Sequence, residues 1–153
     1  MNKNSSQLAF LTLKKLAQKS VNDSLIKLKK ATDNHQHAKS QLNILNNYYC
    51  EYQQKLSEAL SEGIKGYELN NFNAFIASIE QGIAKQKKHL LTLNMKQKQI
   101  TNQFNQSQKN LNTYKTLLNK QHYRYLQQQN RLQQKLTDEF AQQQLARRIS
   151  NEY

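Results

Sequence analysis

The stretch FNAFIASIEQGIAKQKKHLLTL, residues 72–93, decides the fold. Its apolar side chains recur at alternating steps of four and three: Phe72, Ile76, Ile79 and Ile83, then Leu90 and Leu93, with Gln86 filling the intervening step. That spacing is the a/d track of a coiled-coil helix. Downstream the track continues through Gln97, Ile100, Phe104, Ser107, Leu111, Tyr114, Leu118, Gln121, Tyr125, Gln128 and Leu132, interrupted by Gln or Ser and never by a charge. Upstream a second track takes in Phe10, Lys14, Ala17, Val21, Ser24, Leu28, Ala31, His35, Ala38, Leu42, Leu45, Tyr49, Tyr52, Leu56 and Ala59. Gly63 and Gly66 lie between the two, and there is no proline anywhere in the chain.

This layout predicts an all-α protein: two long helices joined once and folded back as an antiparallel coiled coil. Residues 1–60 are expected to form the first helix, 61–71 the hairpin turn, and 72–153 a second, longer helix. Asn70 or Asn71 is expected to cap the second helix. Ser24, His35, Gln86, Gln97 and Ser107 interrupt the seam with polar groups, whose usual purpose at such positions is to fix register rather than to do chemistry.

The arms are unequal. Antiparallel pairing sets Phe10 opposite a residue between Leu118 and Tyr125, which leaves the last thirty or so residues without a partner in the chain. That C-terminal overhang carries Leu126, Leu132, Leu136, Phe140, Leu145 and Ile149 at helical spacing. An apolar stripe on an unpaired helix marks a docking surface, the alternatives being fraying in solution or pairing with a second copy.

Composition agrees with a thin seam rather than a thick core. Hydrophobic residues make up 37%, there is no Trp, and about a quarter of the chain is Gln or Asn on the outward heptad positions. Mean hydropathy is −0.95. The first ten residues, MNKNSSQLAF, lack an apolar stretch of signal-peptide length, so a soluble cytoplasmic protein is expected. Cys50 is the only cysteine, which excludes an intrachain disulfide. The formal charge is +13, and no acidic residue occurs from Gln81 to Thr137, where Lys85, Lys87, Lys88, Lys96, Lys98, Lys109, Lys115, Lys120, Arg124, Arg131 and Lys135 all stand. Such a surface attracts acidic partners. An acidic protein surface is preferred over nucleic acid, because no nucleic-acid-binding motif is present and the basic residues are dispersed among Gln and Asn.

No catalytic constellation survives inspection. His35 and His37 are two residues apart and diverge on a helix, while His89 and His122 stand alone. Asp138 and Glu139 are adjacent carboxylates on a helix, which also diverge and have no pocket to dry them. There is no phosphate-binding glycine loop. The expectation is a protein without enzymatic activity, metal or cofactor.

Three stretches, QLNILNNYYCEY at 41–52, FNAFIASIEQGI at 72–83 and QNRLQQKLTDEFAQ at 129–142, resemble the FliJ family, small coiled-coil proteins of the bacterial flagellar type III export apparatus. The resemblance covers nearly the whole chain. It implies a non-catalytic stalk that links the hexameric export ATPase to the cytoplasmic domain of the membrane export gate, assists export chaperones, and sits at the cytoplasmic face of the inner membrane through its partners. Gate contacts implied by the resemblance fall on Gln41, Leu45, Tyr48, Tyr52, Phe75 and Ile79. Two further family positions fall on Gly82 and Gln86, where this chain departs from the larger residues expected. The overhang, with Leu132, Leu136, Asp138, Glu139 and Phe140, is the implied ATPase-facing segment. In heptad terms Tyr48 and Phe75 are g positions, which the intrachain seam does not demand, whereas Leu45, Tyr52 and Ile79 are seam residues first. A stalk protein of an injectisome secretion system and a basic, nucleic-acid-associated coiled coil are the alternatives.

Overall fold

The computed structural model describes residues 3–151, and among them every element is helical: α1 spans Lys3–Glu62 and α2 spans Gly66–Asn151. Residues 1–2 and 152–153, at the ends of the expected helices, lie outside the described residues. The chain divides into two compact units. One is Ser20–Ser107, containing the turn; the other combines Met1–Lys19 with Gln108–Tyr153.

The turn is three residues, 63–65, not the eleven expected. α1 stops where the Ser61 hydroxyl donates to the Glu58 carbonyl at 2.7 Å and Gly63 adopts a left-handed φ of 90°. Only glycine takes that conformation without a steric cost, so it closes the helix as a C-terminal cap. Ile64, the next residue, is half-buried. α2 then begins six residues before Phe72, and its first turn includes Glu68, whose charge complements the positive helix end. Leu69 is half-buried and continues the seam spacing back from Phe72. Asn70 and Asn71 therefore lie inside the helix and cap nothing.

Within Ser20–Ser107 the two helices run antiparallel. Every a/d residue on α1 is buried or half-buried, and every residue between them is exposed. On α2 the same holds for the track from Phe72, with Gly82 and Thr101 as additional half-buried positions. The seam is narrow. Among the described residues Ala17, Val21, Ala31, Ala38, Ile76, Ile79 and Leu111 are the buried apolar set, and three of these are alanines. Burying so little area per layer makes the polar layers decisive for alignment.

Four of the polar seam residues, Ser24, Gln86, Gln97 and Ser107, find hydrogen-bond partners across the seam. Gln97 Nε2 donates to Thr32 Oγ1 at 3.1 Å. Gln86 Nε2 donates to the Ala38 carbonyl at 2.9 Å, and the Ser107 hydroxyl lies 3.3 Å from the hydroxyls of both Ser20 and Ser24. Near the turn, Tyr49 donates to Glu80 at 3.1 Å and accepts from Gln53 at 2.8 Å. The Glu80 hydrogen bond, foremost, holds the Tyr49 hydroxyl above the usual tyrosine range.

In the other unit, Gln121 Nε2 reaches Ser6 Oγ at 3.4 Å. α1 has almost run out at that point. Tyr125, Gln128 and Leu132, which the heptad track counts as seam, are exposed, as is every described residue from His122 onward.

Two glycine substitutions should move stability in opposite directions. Gly63→Ala places a side chain at positive φ and should cost about 1–2 kcal/mol. At Gly82 an added Cβ would meet only the Leu45 methyls at 3.9 Å, so Gly82→Ala should gain about 0.5–1 kcal/mol through helix propensity. Urea unfolding followed by circular dichroism measures both.

Candidate functional site

Gln41, Leu45, Tyr48 and Tyr52 recur on α1 at steps of four, three and four, and Phe75, Ile79, Gly82 and Gln86 repeat that spacing on α2. On a helix each set occupies one face. The antiparallel register brings the two faces side by side as a ladder of four rungs. Gln86 Nε2 lies 3.3 Å from Gln41 Oε1, a Cβ on Gly82 would touch Leu45, and the Tyr52 and Phe75 rings meet at 4.4 Å between centroids, tilted by 49°. Tyr48 and Ile79 hold the rung between the last two. All eight residues, g and d positions of both helices, thus border one side of the helix pair.

Their exposures divide them. Ile79 is 7% exposed and is a core residue, whereas Tyr48 is 50% and Phe75 47% exposed. Leu45 and Tyr52 are half-buried and Gln41 is exposed. The expectation that the seam makes no demand on Phe75 needs correcting, because its ring packs on Tyr52 and so supports the fold as well as the surface. The Lys55 ammonium sits 4.9 Å from the Tyr52 ring centroid, and it also pairs with Glu51 at 2.9 Å. That carboxylate holds Lys55 above its ordinary pKa range.

In the sequence Gln86 stands as a seam interruption and as one of the two positions where the chain departs from the family it resembles. In the structure it binds the Ala38 carbonyl as well as Gln41, so its first role is alignment. Gly82 leaves a notch over Leu45, between Gln86 and Ile79 on its helix face. No periodicity argument reveals such a notch, since it depends on which residue stands opposite.

On the second candidate surface, Leu132 is 57%, Leu136 66% and Phe140 63% exposed. They succeed one another at steps of four and so wind slowly around α2, leaving the heptad track they follow. Glu139 lines the same shallow surface as Leu132 and Leu136, together with Lys135. Asp138 does not line it, standing about 100° around the helix from Glu139 as adjacent helical residues do. The two carboxylates do not act as a pair. Among the described residues no group of three or more His, Cys, Asp or Glu side chains is placed to hold a metal ion, and no helix is long and apolar enough to cross a membrane.

The sequence matches the family model described as flagellar FliJ protein over residues 6–150. It is 34% identical over 134 residues to the flagellar FliJ protein of Escherichia coli (strain K12), covering 88% of this chain and 91% of that one. The flagellar FliJ protein of Salmonella typhi is 31% identical over the same length, with the same shares covered. No solved structure matches the chain. A two-helix hairpin matched by the family model over residues 6–150, with relatives at this identity and coverage, means that the chain belongs to the FliJ family of flagellar proteins.

Proposed function

We propose that this chain is a non-catalytic coupler of the flagellar export apparatus. The hexameric export ATPase grips the segment beyond Gln121, the ladder near the turn docks on the cytoplasmic domain of the export gate, and export chaperones are assisted by the same molecule. It works in the cytoplasm, held at the inner membrane by its partners. The observation that supports this reading is the grouping of exposed apolar side chains at two places: half-exposed aromatics at Tyr48 and Phe75 on one face of the helix pair, and the uncovered Leu132, Leu136 and Phe140 on α2. Exposed aromatics beside a packed seam suit a partner's hot spot, since a rigid ring loses little entropy on docking. A helix with no intrachain cover gains its burial only from another protein.

Tyr48→Ala should lower affinity for the isolated gate domain at least tenfold, about 1.4 kcal/mol, and impair swimming. Its own stability should fall by less than about 1 kcal/mol, because Tyr48 is half exposed and only borders Ile79 at the edge of the seam. Phe75→Ala should also weaken gate binding, with a further stability loss of about 0.5–1.5 kcal/mol from the Tyr52 ring contact. Unchanged gate binding in the double variant would remove the ladder from the proposal.

For the other end, Leu136→Ser with Phe140→Ser should abolish co-purification with the export ATPase while leaving the unfolding midpoint of the isolated protein in place. A shifted midpoint would mean that these residues serve the fold instead.

A further inference from the structure

The side of the helix pair that carries the ladder continues past Gln41 and Gln86, still within Ser20–Ser107, and changes character. There Ala31, Leu93 and Ile100 floor an open groove of about 310 Å³, whose lips are Lys27, Lys30, Asn34 and Lys96. Ala31 is 8% exposed, and its small side chain opposite Leu93 and Ile100 is what leaves the space. The three lysines are exposed. No carboxylate lines the groove, and among the described residues none of the three lysines is in an ion pair.

An apolar floor between cationic lips selects a ligand with the inverse arrangement. Phosphate backbone would engage the lysines but leave the floor unfilled, and no aromatic side chain lines the groove to stack a base. The groove is partly open to solvent rather than an enclosed cavity, which disfavours a small cofactor. From Lys27 to Asn34 is about 10 Å of helix, room for two turns of a docked helix with apolar anchors at i, i+3 or i+4, and i+7.

We propose that this groove docks an acidic amphipathic helix of a protein partner. Its apolar stripe sits on Ala31, Leu93 and Ile100, and its flanking carboxylates face Lys27, Lys30 and Lys96. The site is separate from the Tyr48 and Phe75 rungs, so it stands or falls independently of gate docking.

The test uses the full chain and fluorescein-labelled synthetic peptides of about 15 residues, long enough for a marginal helix to form on docking. The first peptide carries leucines at i, i+3, i+4 and i+7 with glutamates on both flanks. A second replaces its leucines with serine, a third its glutamates with lysine, and a fourth probe is duplex DNA. Fluorescence anisotropy should show binding of the first peptide, weakening as salt rises, with the serine and lysine peptides at least tenfold weaker and DNA weaker than the first peptide. The chain carrying Lys27→Glu, Lys30→Glu and Lys96→Glu should lose at least tenfold, while Lys109→Glu with Lys115→Glu changes nothing. Circular dichroism should be unaltered, since all five lysines are exposed. Equal binding of the serine peptide, tighter binding of DNA, indifference to the triple reversal, equal loss from the control pair, or no binding by any probe would each overturn the proposal.

Discussion

Hydrogen bonds made across the seam by Gln86, Gln97 and Ser107 are the constraint on which the rest depends. A pair of helices has no third layer, so its apolar contacts alone permit slippage by a heptad at small cost. A polar group left unpaired in the seam loses free energy of about 1–3 kcal/mol, which penalises the slipped alignments. In the observed register Gln97 finds Thr32, Gln86 finds the Ala38 carbonyl, and Ser107 finds Ser20 and Ser24. These residues trade some seam stability for a single alignment.

The surfaces follow from that alignment. Shifting α2 by one heptad would separate Phe75 from Tyr52 and Gly82 from Leu45, and would take Lys96 away from the groove at Ala31. One side of the helix pair thereby presents two chemistries in succession. Aromatic rungs lie near the turn, and a lysine-lipped apolar groove follows farther along. The proposed coupling role needs distinct sites at fixed spacing, which a helix pair in strict register supplies without a globular core.

Much of this was legible in the residues alone. The a/d track of α1 from Phe10 to Ala59 coincides with the covered residues position by position, because a strict 3.5-residue period admits one buried stripe. The turn is shorter than the capping chemistry of Asn70 and Asn71 suggests, because Leu69 already continues the seam spacing and holds those asparagines inside α2. The heptad track on α2 runs on to Leu132, yet the covered residues stop at Gln121, within the Leu118–Tyr125 span that pairing with Phe10 implies, because a track on one helix says nothing of where its partner stops. Partner-dependent features could not be read at all. The stacking of Phe75 on Tyr52, the notch at Gly82 and the convergence of Lys27 with Lys96 each need two segments far apart in sequence, and only the cross-seam register relates them.

The central claim is that one molecule folds back in this alignment, and a disulfide tests it most directly. In a chain with Cys50→Ala, cysteines introduced by Ser24→Cys and Ser107→Cys would stand where the hydroxyls are 3.3 Å apart. Mild oxidation at micromolar concentration should close the disulfide within single chains, seen on non-reducing gels as a monomer of altered mobility. Disulfide-linked dimers alone, or free thiols that resist oxidation in the folded protein, would contradict the hairpin register.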